Sequence, residues 1–275
     1  MMPTVPLNTG ARMPKLGLGT WQIPDEDVEK VVATALATGY RAIDTATSYR
    51  NERGVGAGVT ASGLPCEDVF VTTKLWNADH GTDEARRAFD ASLERLGLDR
   101  VDLYLIHWPL PMRGRYVETW KALEKIHAEG RARAIGVSNF TTGQLRHLMD
   151  TCDVVPAVNQ VELHPLFAQR ELRAFHAEHG IVTQAWSPLG SGQGLLNLPV
   201  LTDIARQRGL TPAQVVLRWH LQRDTVVIPK SVDPGRLASN ADVFGFTLDD
   251  TEMAAIDSLD TDRRRGPDPD TFDYG

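Results

Sequence analysis

Four ionisable side chains stand out by type and spacing: Asp44, Tyr49, Lys74 and His107. A tyrosine has a reference pKa of about 10, too weak an acid to protonate a developing alkoxide well near neutrality. A nearby ammonium lowers that pKa by favouring the phenolate. Lys74 offers that ammonium, Asp44 can hold it in place, and His107 can orient a carbonyl oxygen by hydrogen bonding. The set suits proton transfer to a carbonyl oxygen while a hydride reaches its carbon. Acyl transfer fits less well, because no serine or cysteine stands with a base, and no His/Asp/Glu cluster has metal-ligand spacing. Singly, each residue has an ordinary explanation: a helix cap, a packed tyrosine, a salt-bridged lysine, a core histidine. Their positions argue otherwise. Asp44 ends the apolar run YRAID (40–44), with Tyr49 just beyond; Lys74 ends VFVTTK (69–74); His107 ends VDLYLIH (101–107).

Those three runs belong to a series of eight. The others are LGLGT (16–20), ARAIGVS (132–138), AVNQVE (157–162), IVTQAW (181–186) and TVVIPK (225–230). They are near-continuously apolar rather than alternating, as parallel strands covered by helices should be. Helical patterns lie between them. Asp25 reads as an N-cap, followed by Val28, Val31, Val32, Ala35 and Leu36 on one face and a stop at Gly39. Thr82 reads as the cap of a second helix that buries Ala85, Phe89, Leu93 and Leu96 and ends at Gly97. Thr211 with Gln214, and Asp249 with Glu252, read as capping boxes. Eight β/α units in 275 residues predict an α/β protein, a closed (β/α)8 TIM barrel with its active site at the C-terminal strand ends. The alternative, a doubly wound open sheet, would show GxGxxG after an early strand, and none is present. Residues 3–15, with a turn at Asn8-Thr9-Gly10, predict a β-hairpin that plugs the barrel bottom. No linker or repeat interrupts the chain, so 1–275 reads as a single domain with an irregular tail over 263–275.

The composition is that of an ordinary globular enzyme, and the net charge of −7 argues against nucleic-acid or membrane partners. Any anionic ligand must then meet positive charge locally. Cys66 and Cys152 suggest no disulfide framework, the N-terminus has no signal-peptide pattern, and no run approaches the ~18 apolar residues of a membrane span. A reducing cytoplasm and a small-molecule carbonyl partner are the expectation, and no exposed apolar repeat argues against a monomer. The glycine-rich SPLGSGQGLL (187–196) follows the seventh strand and is read either as a mobile surface loop or as backbone amides that close over a pyrophosphate. After the eighth strand, PKSVDPGRLASN (229–240) gathers Lys230, Ser231 and Arg236 where TIM barrels tend to bind phosphate.

DTATSYRNERGVG (44–56), TTKLW (72–76) and DLYLIHWP (102–109) resemble the aldo-keto reductase family, as do GLGTW (17–21), AIGVSNF (134–140), VNQVELHP (158–165) and IPKSV (228–232). The resemblance runs from the first strand to the last. In motif order and loop length it is most similar to the bacterial 2,5-diketo-D-gluconate reductase group. It implies a (β/α)8 barrel that uses NADPH without a Rossmann domain. Tyr49 is then the general acid, tuned by Asp44 and Lys74, and His107 binds the carbonyl. Ser138, Asn139 and Gln160 match residues that grip the nicotinamide carboxamide. Trp186 matches an aromatic that stacks on the ring, where tyrosine is commoner. Gly19, Thr20, Trp21 and Asp44 line the cofactor's edge. Ser187, Leu189, Gly190 and Ser191 match a loop that folds over the cofactor.

Lys230, Ser231, Val232 and Arg236 match the 2′-phosphate site, which favours NADPH over NADH. Asp233 adds a negative charge there. Ser239 stands where many members carry a glutamate that contacts the adenine, and Asn240 is retained. Trp21, Trp76 and Trp108, with Tyr49 and His107, are the expected substrate pocket. Short loops imply an open pocket for small aldehydes, dicarbonyls or keto sugars. The competing readings are a non-catalytic NADPH-binding sensor or partner subunit on this fold, and a TIM-barrel enzyme of unrelated chemistry.

Overall fold

The computed structural model describes residues 2–274; Met1 and Gly275, the ends of the expected single domain, lie outside the described residues. Strands β1 (Thr4–Pro6) and β2 (Arg12–Pro14) pair antiparallel with Val5 opposite Met13. Gly10 closes the turn at φ 83°, a left-handed conformation that glycine adopts without a Cβ penalty. Leu7 and Met13 are buried among Ala42, Phe70, Leu103 and Ala134. Ala42 and Phe70 begin their strands, so the hairpin seals the N-terminal end of the barrel, as expected.

The eight apolar runs become β3 (Leu18–Gly19), β4 (Ala42–Asp44), β5 (Phe70–Leu75), β6 (Val101–Ile106), β7 (Ala132–Ser138), β8 (Val158–Glu162), β9 (Val182–Trp186) and β10 (Val226–Val227). All pair parallel in sequence order. Closure comes from the chain around β3 and β10. Gly17 N–H donates to Val227 O at 2.9 Å, Val227 N–H to Lys15 O at 3.1 Å, and Gly19 N–H to Pro229 O at 3.3 Å. Gly19 is required there, since a Cβ would stand 2.7 Å from the Ile228 carbonyl oxygen.

The helices are α1 (Asp25–Ala37), α2 (Glu52–Ala61), α3 (Thr82–Leu96), α4 (Tyr116–Ala128), α5 (Thr142–Thr151), α6 (Arg170–Glu178), α7 (Pro199–Arg208), α8 (Pro212–Gln222), α9 (Pro234–Ala241) and α10 (Asp250–Asp257). α1 buries the five apolar residues its periodicity predicts, and the boxes at Thr211 and Asp249 form. Two caps differ from expectation. Pro24 takes the cap position of α1, and Asp25 Oδ1 instead accepts the Gly54 N–H at 2.8 Å, tying α1 to α2. α3 is capped by Gly81 at φ 134°, a backbone unsuited to threonine, and Thr82 N–H donates to Glu118 Oε1 at 3.1 Å.

The tail has no helix or strand among its described residues, yet it is pinned along its length. Arg265 and Gly266 N–H groups donate to the two oxygens of Glu162 at 2.7 and 2.8 Å. Gln144 donates to Asp270 at 2.9 Å, Asn77 donates to the Tyr274 carbonyl, and Arg113 pairs with Asp273. No helix among the described residues is long and apolar enough to cross a membrane.

Candidate active site

β4, β5 and β6 deliver Asp44, Lys74 and His107 to one mouth because adjacent parallel strands end level: Asp44 pairs with Thr72, and Lys74 with Leu105. Lys74 Nζ donates to Asp44 Oδ1 at 2.5 Å, to the Thr45 carbonyl at 2.8 Å and to Tyr49 Oη at 3.3 Å. All three donors of the ammonium are therefore used, and both members of the ion pair are buried. Tyr49 ends a short 3-10 turn, Thr47–Tyr49, and its ring meets His107 edge-on at 5.7 Å.

Burial dominates the electrostatics. It raises the Tyr49 phenol above its usual value, with Lys74 pulling the other way and Asp44 adding to the rise. The sequence expectation of a lowered phenol pKa is therefore not met here, because desolvation of the phenolate outweighs the ammonium. Burial alone would lower Lys74, but Asp44 and Tyr49 face it and hold it above the usual lysine range. Burial raises the Asp44 carboxyl, opposed by Lys74 and Gln160. Burial, then Lys74, drives His107 well below the usual imidazole value, so it is neutral.

A second group borders this one. Asn139 sits at φ 64°, which asparagine tolerates better than most residues. The turn lets its Nδ2 donate to His107 O at 3.0 Å and to Ser138 Oγ at 3.1 Å, while its Oδ1 accepts the Trp186 indole N–H at 2.8 Å. Gln160 Nε2 bridges Asp44 Oδ2 at 2.7 Å and Gln184 Oε1 at 2.8 Å. Gly19 and Thr20 are buried beside Asp44, with Thr20 Oγ1 donating to Asp44 O at 2.9 Å.

Trp21, exposed at the mouth, and Trp76, 5.3 Å from His107, flank the opening. Trp108 is buried behind Phe272, 4.3 Å away, and Tyr274 lies 6.4 Å from Trp76. Short as it is, the tail thus adds two aromatics to a rim expected to be open. In 187–196, Ser187 and Ser191 both have φ 50°, and their hydroxyls bond at 2.6 Å. Leu189 packs against the core and Gly190 is buried. In 229–240, Ser231 and Asn240 are buried, Ser239 is half-buried, and Lys230, Val232 and Arg236 are exposed. Asp233 caps α9, accepting the Arg236 N–H at 2.8 Å, so its charge serves the helix start.

Several contributors escaped sequence reasoning. Asn51 Nδ2 donates to Thr20 O and Ile23 O, both at 2.9 Å, and its Oδ1 accepts Thr45 Oγ1 at 2.7 Å, which locks the Trp21 turn to the Tyr49 turn. Glu52 is buried and accepts from Thr73 Oγ1 at 2.5 Å and Arg95 Nε at 2.7 Å. Asn51 and Glu52 follow the Tyr49 turn after Arg50, and that proximity was the available signal.

Fold and site define a barrel oxidoreductase, and the family model described as "Aldo/keto reductase family" matches residues 15–261. The chain belongs to the aldo/keto reductase family. It is 53% identical over 283 residues to morphine 6-dehydrogenase of Pseudomonas putida, covering 98% of this chain and 96% of that protein. It is 49% identical over 272 residues to methylglyoxal reductase DkgA of Escherichia coli K12, covering 98% of each. A Gox0644 variant solved in complex with NADPH superposes with a TM-score of 0.95 at 48% identity over the full length of both chains.

Proposed function

We propose that the protein uses NADPH to reduce the carbonyl of small aldehydes, dicarbonyls or keto sugars to alcohols, with Tyr49 as proton donor. One observation carries the reading: Lys74 Nζ joins Asp44 and Tyr49 in one buried hydrogen-bonded set beside a neutral His107. The donor set also fits the cofactor. Ser138, Asn139 and Gln160 offer amide and hydroxyl groups suited to a carboxamide. The half-buried Trp186 offers a ring face. Lys230 and Arg236 offer exposed cations suited to a 2′-phosphate, helped by Ser231 and Val232. Gly19, Thr20 and Trp21 would border the cofactor's edge, Ser187, Leu189, Gly190 and Ser191 would cover it, and Ser239 and Asn240 would hold its adenine end.

When bound, NADPH supplies the hydride that reaches the carbonyl carbon. The rest is the work of the chain. Neutral His107 donates a hydrogen bond that orients the carbonyl oxygen. Tyr49, a protonated phenol near neutrality, gives its proton to that oxygen as negative charge develops, with Lys74 opposing the rise that burial imposes on its pKa. Lys74 stabilises the phenolate left behind, and Asp44 fixes Lys74. Trp21 and Trp76, with Trp108 behind them, keep water from the reacting carbon. Similarity to the methylglyoxal reductase supports a small dicarbonyl as substrate. The reading includes a monomer in the cytoplasm, a compartment that suits the free Cys66 and Cys152.

The test is NADPH consumption against methylglyoxal, 2,5-diketogluconate, an aromatic aldehyde and a steroid ketone. Turnover of the small dicarbonyls is expected to exceed that of the steroid; no turnover of any carbonyl would refute the reading.

A further inference from the structure

The tail and the loop over the proposed cofactor site are joined by one side chain. Arg265 Nη1 donates to Gly190 O at 2.7 Å, and Nη2 donates to Gln193 O at 3.2 Å. The loop that receives these bonds is costly to hold in one shape. Ser187, Gly190, Ser191, Gly192 and Gly194 all have positive φ, two of them at non-glycine residues. His220 Nε2 meets the Pro188 carbonyl at 3.2 Å near the start of the loop, and the Gly190 and Gln193 carbonyls further along receive Arg265. The contact is close enough that a Cβ on Gly190 would stand 2.9 Å from Arg265 Nη1.

The root of Arg265 is rigid. Its N–H and that of Gly266 are both held by Glu162, which ends β8 and is buried. Glu162 also meets His164 Nε2 at 3.0 Å. Burial works against the Glu162 carboxylate, but His164 and the two N–H groups outweigh it and hold its pKa below the usual range. Gly266 packs closely against Trp186, since a Cβ there would stand 2.5 Å from the indole Cη2. The segment 265–266 therefore touches both the indole proposed to carry the nicotinamide and the loop proposed to cover the pyrophosphate.

We infer that Arg265 is the clasp of the 187–196 loop, anchored through Glu162, and that NADPH leaves only when this clasp opens. The inference rests on the proposed NADPH site but assigns a residue that the sequence motifs do not contain. The clasp exists in the chain without cofactor, so it can be read with and without NADPH.

The experiment compares wild type with Arg265→Met, which keeps the stem and removes the donors. Hydrogen exchange of 187–196 is measured on the free protein, and NADPH dissociation is measured by stopped-flow tryptophan fluorescence. The variant should exchange faster in 187–196 while 101–106 is unchanged. It should release NADPH about tenfold faster or more, and association should be no slower than wild type, because the clasp also stands closed in the free chain. Arg265→Lys, which restores one donor, should recover part of the retention. Unchanged exchange in the loop, or unchanged NADPH dissociation despite faster exchange, would overturn the clasp. Failure of wild type to bind NADPH would instead refute the cofactor reading, and the exchange comparison would still decide whether Arg265 holds the loop.

Discussion

Gln160 reaches across the barrel mouth to Asp44, its Nε2 donating to Oδ2 at 2.7 Å while Lys74 holds the other oxygen at 2.5 Å. The carboxylate is thus gripped from β5 and from β8. A residue expected only to contact nicotinamide also bonds to the ion pair beside Tyr49. Gln160→Leu should lower kcat, because Asp44 loses a donor in a buried site, at a cost of about 1–3 kcal/mol. The check is steady-state kinetics beside thermal melting; a change in KM for NADPH alone, with kcat intact, would confine Gln160 to cofactor binding.

Lys74→Met should suppress turnover with NADPH affinity within about twofold. It should also destabilise the fold by about 3–5 kcal/mol, because a buried Asp44 carboxylate is left without its partner. Lys74→Met combined with Asp44→Asn should recover much of the stability and none of the activity. A large loss of cofactor affinity in the single variant would mean that Lys74 is structural.

Stability should fall on the acid side of neutrality. Burial lowers His80 to about 4, and His176 and His220 to about 3. Nearby Arg113 and Arg115 add to the shift of His80, and Arg173 and His179 to that of His176. The unfolded chain protonates these residues near pH 6.5, whereas the folded chain resists until the lowered values. The stabilisation is complete above about pH 6.5 and is lost as pH falls toward 4 and then 3, at about 2 kcal/mol per histidine by pH 5. Melting temperature measured from pH 8 to pH 5 should decline mainly below 6.5; a flat profile would contradict the buried neutral state.

Arg236→Ala should weaken NADPH binding about tenfold or more and NADH binding little, since its guanidinium is exposed and only loosely paired with Asp233, at 4.0 Å. Isothermal titration with both cofactors checks this. Equal loss for both would remove Arg236 from the 2′-phosphate site.

Much of the barrel was legible because burial on both faces leaves continuous apolar runs, and β7 matched its expected bounds of 132–138. The β4–β6 strand ends were legible for the same reason, and with them Asp44, Lys74 and His107. Caps were less so: Pro24 and Gly81 displaced Asp25 and Thr82 because helix packing and a left-handed backbone decided those positions. The bond from Trp186 to Asn139 spans 47 residues and that from Arg265 to Glu162 spans 103, distances at which no local pattern carries information. The tail looked like loop by composition, and only its partners on β8, α5 and the turn after β5 reveal its path.

The most direct test of the central claim follows NADPH absorbance with methylglyoxal for wild type and Tyr49→Phe, together with NADPH affinity for each. Loss of the phenolic proton should lower kcat/KM about a hundredfold to ten-thousandfold while NADPH still binds. A Tyr49→Phe variant that reduces the carbonyl at the wild-type rate would contradict Tyr49 as the acid.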